Sequence, residues 1–218
     1  MTKSNASVIG LIGARGAGKT TVFSLMSELF PCREIMLARR LKVVCAGIVN
    51  VPIDNFELPQ FKEEPFKSGA HMITVRDLRM ITQLFDISFT AFEAELIKHV
   101  GKRLYTPREA AQYIGTEVLR SIQHDIHCDF AGKLIGADMV NVVTDIRFVD
   151  EYQYFVDRFE NFQLIHIFNP YAEDRAASDA HPSERGLDEL KVHADIVITN
   201  VGTLDDLAIE VAHAFISP

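Results

Sequence analysis

A glycine-rich octapeptide constrains the fold of this chain more than any other feature. Residues 13–20 read Gly-Ala-Arg-Gly-Ala-Gly-Lys-Thr and fit the pattern G-x-x-x-x-G-K-[ST] in full. Glycines let backbone N–H groups turn inward around phosphate oxygens, because no Cβ atom stands in the way. A helix that follows such a loop presents its positive N-terminal end to the same phosphates. The octapeptide therefore predicts a loop that binds the phosphates of a nucleotide.

The residues on either side of the octapeptide have the periodicity that such a loop requires. Residues 7–12 form an apolar run, which predicts a buried strand, and residues 19–30 have apolar side chains at helical spacing. Further strands are predicted at 35–38, 139–144, 163–168 and 195–199, and further helices at 39–49, 74–85, 90–100, from 106, 149–159 and 203–215. This alternation predicts an α/β, P-loop NTPase three-layer fold, with a mostly parallel five-stranded sheet and helices on both faces.

The length of 218 residues suits one domain with a small insertion. We therefore expect a single domain over 1–218, with a helical insertion at about 50–135. Residues 50–70 contain three prolines and little periodicity, which predicts a long surface excursion. Residues 169–186 are polar and are expected to be irregular.

Composition and charge disfavour several classes of partner. The net charge is −8, with no block of lysine and arginine, which disfavours a nucleic acid polymer or an anionic membrane as a partner. The three cysteines are odd in number and far apart, so no disulfide framework is predicted. Residues 1–7 lack the apolar core of a signal peptide, and no apolar run approaches the ~18 residues of a membrane span. We expect a cytoplasmic protein, in the host cytoplasm if the source is viral.

A second nucleotide-binding element is predicted at residues 140–145, where an apolar strand ends in Asp145. A carboxylate there suits a Mg²⁺ ion beside the loop, with the Thr20 hydroxyl as the other protein ligand and Lys19 reaching the β- and γ-phosphates. A plain turn aspartate is the competing interpretation. No N-K-x-D segment that would read guanine is present, which counts against a GTPase. The length favours a small-molecule kinase over a mechanical ATPase.

Five segments resemble the phage-type deoxynucleoside monophosphate kinases, a branch of the P-loop nucleoside monophosphate kinases. In chain order they are the octapeptide, LARRLK at 37–42, REAAQYIGTEVLR at 108–120, TDIRFVDE at 144–151, and HPSE at 181–184 with DIVITNVGTL at 195–204. The Q-x-x-G-T-E, D-x-R-F and H-x-S-E stretches are much more specific than the octapeptide. Animal-type phosphomevalonate kinases share the D-x-R stretch and the closing I-x-N-x-G, and dephospho-coenzyme A kinases share only the ending.

The resemblance implies a nucleoside monophosphate kinase-like fold and a role for each motif. For ATP it implies Gly13, Ala14, Arg15, Gly16, Ala17, Gly18, Lys19, Thr20 and Thr21, with Asn200 and Gly202 bordering the adenine. For the acceptor it implies Arg15, Lys42, Arg108, Gln112, Thr116, Glu117, Arg120 and Arg147. Guanidinium groups suit a dianionic phosphate because they donate two parallel hydrogen bonds. The competing interpretations are a solvated helix face for each arginine, helix packing for 115–117 and a simple turn for 200–202.

The expected catalytic residues are Lys19, Asp145, Arg147 and Arg175. Residues 169–186 lie where related kinases carry a mobile lid, and Arg175 is the residue chosen there to neutralise charge on the transferred phosphoryl group. The segment also holds His181, Glu184 and Arg185, and a polar surface loop is an equally good interpretation.

Four possible metal ligands between 124 and 129 form a separate cluster, namely His124, His127, Cys128 and Asp129. Structural zinc sites usually draw on two separated pairs of ligands, and no second Cys/His pair accompanies this one. An ordinary helix is therefore the favoured interpretation.

Together these features predict in-line transfer of the terminal phosphoryl group from Mg²⁺-ATP to a deoxynucleoside 5′-monophosphate. Because the acceptor is already an anion, catalysis needs positioning and charge neutralisation rather than a strong general base. One alternative is a kinase for another small phosphorylated acceptor, such as phosphomevalonate. An alternative from a different class is a nucleotide-binding regulatory switch, and a homodimer is left open.

Overall fold

The computed structural model describes residues 3–176 and 187–216. These residues contain the strands β1 (Ser4–Ile12), β2 (Cys32–Ile35), β3 (His71–Met72), β4 (Arg103–Leu104), β5 (Val140–Val143), β6 (Phe159–Phe168) and β7 (Ile196–Thr199). The α-helices are α1 (Lys19–Leu29), α2 (Arg39–Val49), α3 (Asp54–Glu57), α4 (Val75–Leu84), α5 (Glu93–Leu96), α6 (Pro107–Gln112), α7 (Arg120–Ile122), α8 (Ile126–Gly132), α9 (Val149–Arg158), α10 (Pro170–Ala176), α11 (Leu187–Lys191) and α12 (Leu204–Ile216). A 3₁₀ turn (Ile97–His99) and a π-helix (Tyr113–Leu119) complete the helical elements of this part of the chain. None of the described helices combines the length and the apolar character that a bilayer crossing requires.

The chain forms two compact units, here called unit 1 and unit 2. Unit 1 combines the residues up to Leu37 with the residues from Ala131 onwards, and unit 2 is the continuous stretch Ala38–Phe130. The predicted insertion at about 50–135 falls largely within unit 2, which begins about a dozen residues earlier than expected.

Unit 1 is built on a parallel sheet with strand order β2-β5-β1-β6-β7. The strand β1 lies at its centre, where Gly10 pairs with Val143 of β5 on one side and Leu164 of β6 on the other. Helices cover both faces. The helix α1 packs with α12, α9 packs against β1, β6 and α11, and α11 also packs against β1. This confirms the predicted α/β fold with a five-stranded parallel sheet.

The apolar strands of unit 1 reflect this double coverage. Strands that are buried on both faces have no solvent side, so their sequences read as continuous hydrophobic runs rather than as alternation. Side chains with no exposed surface occur in succession along the three central strands, namely Val8, Leu11 and Ile12, then Val142 and Val143, then Leu164, Ile165 and Ile167.

Several predicted boundaries in unit 1 were wrong. β1 begins at Ser4 rather than at residue 7, and β6 begins at Phe159 rather than at residue 163. The second strand was expected at 35–38 but spans Cys32–Ile35, because the polar residues Arg33 and Glu34 continue the parallel pairing with β5. Residues 170–176 were expected to be irregular but form α10. Its first turn is capped by Asn169, whose Oδ1 accepts the Ala172 N–H at 3.0 Å. Asn followed by Pro is a helix start signal, with the cap and the first helical residue in order.

Unit 2 is mainly helical and has its own hydrophobic core. The helices α2, α4 and α6 and the π-helix contribute fully buried side chains such as Cys45, Leu78, Ala110 and Ile114. As predicted, Thr106 begins α6, because its Oγ1 accepts the Glu109 N–H at 3.1 Å. The predicted continuous helix after Thr106 is instead interrupted by the π-helix.

Candidate active site

The octapeptide forms the loop between β1 and α1 in unit 1. Gly13 has a φ of 149°, and a Cβ atom there would lie 2.5 Å from the Ile167 carbonyl oxygen, so only glycine fits. Gly18, with a φ of 105°, directly precedes α1, whose first residue is Lys19. The first N–H groups of a helix lack intrahelical partners and point out of its N-terminus. The predicted loop between a buried strand and a helix is therefore present.

The Lys19 ammonium group folds back onto the octapeptide loop. Its Nζ donates to the Gly13 carbonyl oxygen at 2.5 Å and to the Ala14 carbonyl oxygen at 3.0 Å. Phosphate oxygens carry full negative charge, so they accept a hydrogen bond from an ammonium group more strongly than carbonyl oxygens do. The lysine is thus placed at the loop where a phosphate chain could replace these carbonyl contacts.

Asn200, which follows β7, supports the same loop. Its Nδ2 donates to the Ala17 carbonyl oxygen at 2.8 Å, and its backbone N–H donates to the Phe168 carbonyl oxygen at 2.8 Å. Sequence reasoning assigned Asn200 and Gly202 to the border of the adenine, but it gave no indication of this contact between Asn200 and the octapeptide. A Cβ atom on Gly202 would lie 2.5 Å from the Asp206 carboxylate, which caps α12.

Asp145 lies at the same edge of the sheet as the loop. Asp145 comes two residues after Val143, the β5 residue that pairs with Gly10 of β1. Its Oδ1 accepts the Leu37 N–H at 2.7 Å. The preceding Thr144 donates its hydroxyl to Oε1 of Glu34 at 2.9 Å. Carboxylate and hydroxyl oxygens are the ligands that Mg²⁺ prefers, so Asp145 and Thr20 are chemically suited to that ion. Sequence reasoning missed Glu34, because its contact joins strands that are far apart in the chain.

Arg147 lies on the turn between β5 and α9, and its backbone is fixed by Glu151. The Oε2 atom of this buried carboxylate accepts the N–H groups of Arg147 at 2.8 Å and of Phe148 at 3.2 Å. The intervening Ile146 is buried. The D-x-R-F stretch therefore forms a turn with an anchored backbone and a partly exposed arginine.

Arg175 extends from α10 towards the octapeptide. Its Nη2 lies 3.4 Å from the point that a Cβ atom on Gly16 would occupy, and its Nε donates to the Tyr171 carbonyl oxygen at 3.1 Å. Arg15 and Gly16 are both exposed at this part of the loop. The other residues that sequence reasoning noted in this segment, His181, Glu184 and Arg185, lie outside the described residues.

Unit 1 thus brings together the predicted ATP-side residues. The remaining acceptor candidates belong to unit 2, with Lys42 on α2 and the other five on consecutive helical segments: Arg108 and Gln112 on α6, Thr116 and Glu117 on the π-helix, and Arg120 on α7. The Arg108 side chain forms an ion pair with Glu63, and its backbone N–H donates to the Lys62 carbonyl oxygen at 3.0 Å. The Arg120 Nη2 is 3.3 Å from Nδ1 of His124.

The π-helix carries most of the Q-x-x-G-T-E stretch, and sequence reasoning did not predict it. π-helices are rare and often occur at functional sites. Its first residue, Tyr113, has its hydroxyl 2.9 Å from Nδ1 of His99, and burial together with the nearby Glu117 raises the Tyr113 pKa. Burial lowers the pKa of His99, which favours its neutral form. Gly115 packs closely on α2, since a Cβ atom would lie 2.6 Å from Cδ2 of Leu41.

The residues between 124 and 129 behave as parts of ordinary helix packing. Nε2 of His127 is 3.4 Å from the Gly115 carbonyl oxygen, and its ring packs edge-on against Phe85. Gln123 donates to Asp129 at 2.8 Å, and Cys128 is buried. Across residues 3–176 and 187–216, no group of three or more His, Cys, Asp or Glu side chains could hold a metal ion.

A glycine-rich loop after the central strand and an acidic residue after the neighbouring strand are together typical of P-loop nucleotide-binding proteins. The sequence model of the deoxynucleotide monophosphate kinase family matches residues 67–211, and the chain belongs to this family. This confirms the resemblance on which the predicted function depends. The match begins after the octapeptide, so the loop is an additional, separate observation.

Comparison with solved structures gives distant similarities. The protein TT1252 from Thermus thermophilus is 18% identical, with a TM-score of 0.41 over 99% of this chain and 100% of that chain. Dephospho-CoA kinase from Campylobacter jejuni is 14% identical, with a TM-score of 0.43 over 95% of this chain and 94% of that chain. No curated protein matches the sequence.

Proposed function

We propose that this nucleotide kinase transfers the terminal phosphoryl group of ATP to deoxynucleoside 5′-monophosphates, giving ADP and the deoxynucleoside diphosphate. The observation that carries the proposal is the position of Lys19 and Arg175 at a complete G-x-x-x-x-G-K-T loop in unit 1, with Asp145 at the same edge of the sheet. The family to which the chain belongs supports the choice of acceptor.

On the ATP side, each residue has a role that its geometry supports. The loop N–H groups and the N-terminus of α1 bind the phosphates, and Lys19 exchanges its contacts with Gly13 and Ala14 for phosphate oxygens. Arg175, next to Gly16, neutralises charge that develops on the transferred group. Asn200 holds the Ala17 carbonyl and thereby the shape of the loop. The remaining ATP-side residues, Thr21 and Gly202, are assigned to the same nucleotide.

Thr20 and Asp145 would hold the Mg²⁺ ion. When bound, this ion neutralises the β- and γ-phosphate oxygens and orients them for in-line transfer. Thr20 supplies its hydroxyl from the first turn of α1. The contact between Asp145 and the Leu37 N–H keeps the carboxylate oriented at the end of β5.

On the acceptor side, the cationic candidates bind the monophosphate. These are Arg15, Lys42, Arg108, Arg120 and Arg147. Arginine donates in a rigid fork that matches two phosphate oxygens, which a single ammonium group cannot do. The polar side chains of Gln112, Thr116 and Glu117 are assigned to the rest of the acceptor.

A coupled assay of ADP release tests the proposal. ATP is supplied with a panel of deoxynucleoside monophosphates, the matching ribonucleotides and phosphomevalonate, and the products are identified by chromatography. We expect ADP in proportion to the deoxynucleoside diphosphate formed. Slow ADP release that does not depend on any acceptor would instead indicate a regulatory switch. Turnover only with phosphomevalonate would indicate a different kinase.

The variant Lys19→Ala tests the role of the loop in the same assay. The Lys19 side chain donates to loop carbonyl oxygens and does not belong to the hydrophobic core, so the fold should be retained while turnover falls by orders of magnitude. A folded variant with near-normal turnover would falsify the assignment of this loop to ATP.

A further inference from the structure

The carboxylate of Glu173, on the inner side of α10, forms hydrogen bonds with two side chains at once. Its Oε1 is 3.1 Å from Nε2 of His166, and its Oε2 accepts from Nζ of Lys191 at 2.9 Å. These contacts join α10 to β6 on one side and to α11 on the other. The Glu173 side chain is only 21% exposed and that of His166 only 7%, so the contacts lie largely out of water. Buried charge of this kind is costly unless it is paired, and here the carboxylate is paired with Lys191.

The charge state of the cluster follows from its chemistry. Burial lowers the pKa of His166, the charges of Lys191 and Lys19 add to this effect, and Glu173 opposes it. The imidazole is therefore neutral near pH 7. Because an ionised carboxylate can only accept, the His166 proton must reside on Nε2. Glu173 and Lys191 form the ion pair, and His166 adds a neutral donor.

The same part of the fold positions the phosphate-binding loop. His166 pairs in register with Ile12, the last residue of β1 before the loop, and the next β6 residue, Ile167, has its carbonyl oxygen against Gly13. Arg175 follows Glu173 by two residues on α10, and its guanidinium group lies beside Gly16. The contacts of Glu173 therefore fix α10 to the strand that also fixes the loop.

We propose that Glu173 is a positioning residue for phosphoryl transfer, which holds α10 on β6 through His166 and Lys191 so that Arg175 stays beside the loop. The inference rests on the proposed role of Arg175. A side chain on a helix of seven residues is placed by the few contacts that the helix makes, and Glu173 supplies two polar contacts on its inner side. Displacement of an aligned group by about 1 Å can cost up to 100-fold in rate.

The test is a double-mutant cycle between Glu173→Gln and Arg175→Ala. A carboxylate accepts at both oxygens, whereas a carboxamide has one acceptor and one donor, so Glu173→Gln loses one of the two contacts. We expect kcat to fall about 10- to 100-fold while the KM for ATP changes less than about threefold. In the Arg175→Ala background, the same substitution should change kcat by less than about twofold.

Two further variants complete the design. Asp174→Asn, at the exposed neighbouring residue of the same helix, removes the same charge and should leave kcat unchanged. If Glu173→Gln does not fold, Lys191→Gln weakens the cluster from the other side and should lower kcat in the same direction. Urea unfolding of each variant separates a loss of stability from a loss of positioning.

Each outcome decides the question. An equal loss of kcat in both backgrounds, or a Glu173→Gln variant that loses only stability, would show that Glu173 does not act through Arg175. If Arg175→Ala itself leaves acceptor-dependent turnover intact, the positioning role is overturned while the kinase function stands. A wild-type protein with no acceptor-dependent ADP release would overturn both.

Discussion

At the scale of single residues, Asp145 is the proposed metal ligand at the end of a strand. Asp145→Asn keeps the Oδ1 atom that accepts the Leu37 N–H, so the fold should be retained while the charge that suits Mg²⁺ is lost. We expect a strong fall in kcat and a higher Mg²⁺ concentration for half-maximal activity, with only partial rescue by added Mg²⁺. Steady-state kinetics across a Mg²⁺ titration measure both.

The matched control for that substitution is Glu160→Gln, which removes an exposed carboxylate of the same unit. Its Mg²⁺ dependence should equal that of the parent. If Asp145→Asn also shows the parental dependence, Asp145 is a turn residue and the metal is held elsewhere.

The arginines proposed to bind the acceptor offer a second residue-scale prediction. Replacing Arg108 or Arg147 with lysine should reduce acceptor kcat/KM roughly 10- to 150-fold, because a lost charge-assisted hydrogen bond costs about 1.5–3 kcal/mol. Binding of an ATP analogue, measured by calorimetry, should change little. Arg76→Lys, at an exposed residue of α4, is the control. If ATP affinity falls while kcat/KM for the acceptor is unchanged, these arginines bind ATP and not the acceptor, which contradicts the proposal.

Sequence reasoning located residues that belong to a local pattern in the chain, and not those whose contacts depend on distant partners. The octapeptide and Asp145 have recognisable neighbours in the chain, a strand before and a helix or turn after. Glu173 has no such pattern, because its partners lie on β6 and α11. The same holds for the contact of Asn200 with Ala17, which joins residues 183 apart.

At the scale of secondary structure elements, the π-helix of unit 2 packs closely on α2 at Gly115. A Cβ atom at Gly115 would lie 2.6 Å from Cδ2 of the buried Leu41, so Gly115→Ala requires the Leu41 side chain or the backbone to shift. Overpacking of this kind costs about 1–3 kcal/mol of unfolding free energy. Urea denaturation measures this loss. Turnover with the acceptor should fall in parallel, because the π-helix carries candidate acceptor-binding residues.

The control is another helical glycine in the same unit. A Cβ atom on Gly47 of α2 would have no atom within 4 Å, so Gly47→Ala should stabilise the protein by about 0.5–1 kcal/mol through helix propensity alone. Equal effects of the two substitutions would show that the close approach at Gly115 is not a constraint.

The helix starts predicted at 74 and 106 agree with the structure. The helices α4 and α6 begin directly after Thr74 and Thr106, whose side chains cap them. The helix α10 was missed although Asn169 and Pro170 give the same kind of signal, because the polar character of the following residues suggested a loop. The π-helix has no comparable sequence signal, since an extra residue per turn is selected by packing rather than by local preference.

At the scale of the whole molecule, the cluster around His166 links pH to stability. The folded pKa of His166 lies below its usual value of 6.5, mainly because the ring is buried. The unfolded state therefore binds the proton more readily, and the stability from the neutral ring is complete above about pH 6.5 and is lost as the pH falls from there through the folded pKa.

We therefore expect His166→Gln, whose amide can still donate to Glu173, to flatten the decline of unfolding free energy between pH 7.5 and pH 5.5. Urea denaturation at several pH values gives this slope. His213→Gln, at an exposed histidine of α12, is the control and should keep the parental slope. A parental slope in His166→Gln would place the pH sensitivity in other groups.

The central place of β1 in the sheet has a consequence for synthesis on the ribosome. This strand ends at Ile12, but both of its neighbours are encoded far downstream, since β5 begins at Val140 and β6 at Phe159. At about 5–20 residues per second, the nascent chain carries an unpaired apolar strand for at least about 6–26 s before β5 emerges. Unit 2, which is continuous in the chain, is complete before then. An exposed strand with two open edges is a template for aggregation, so chaperone binding to the emerging β1 segment is expected to raise the yield of folded protein.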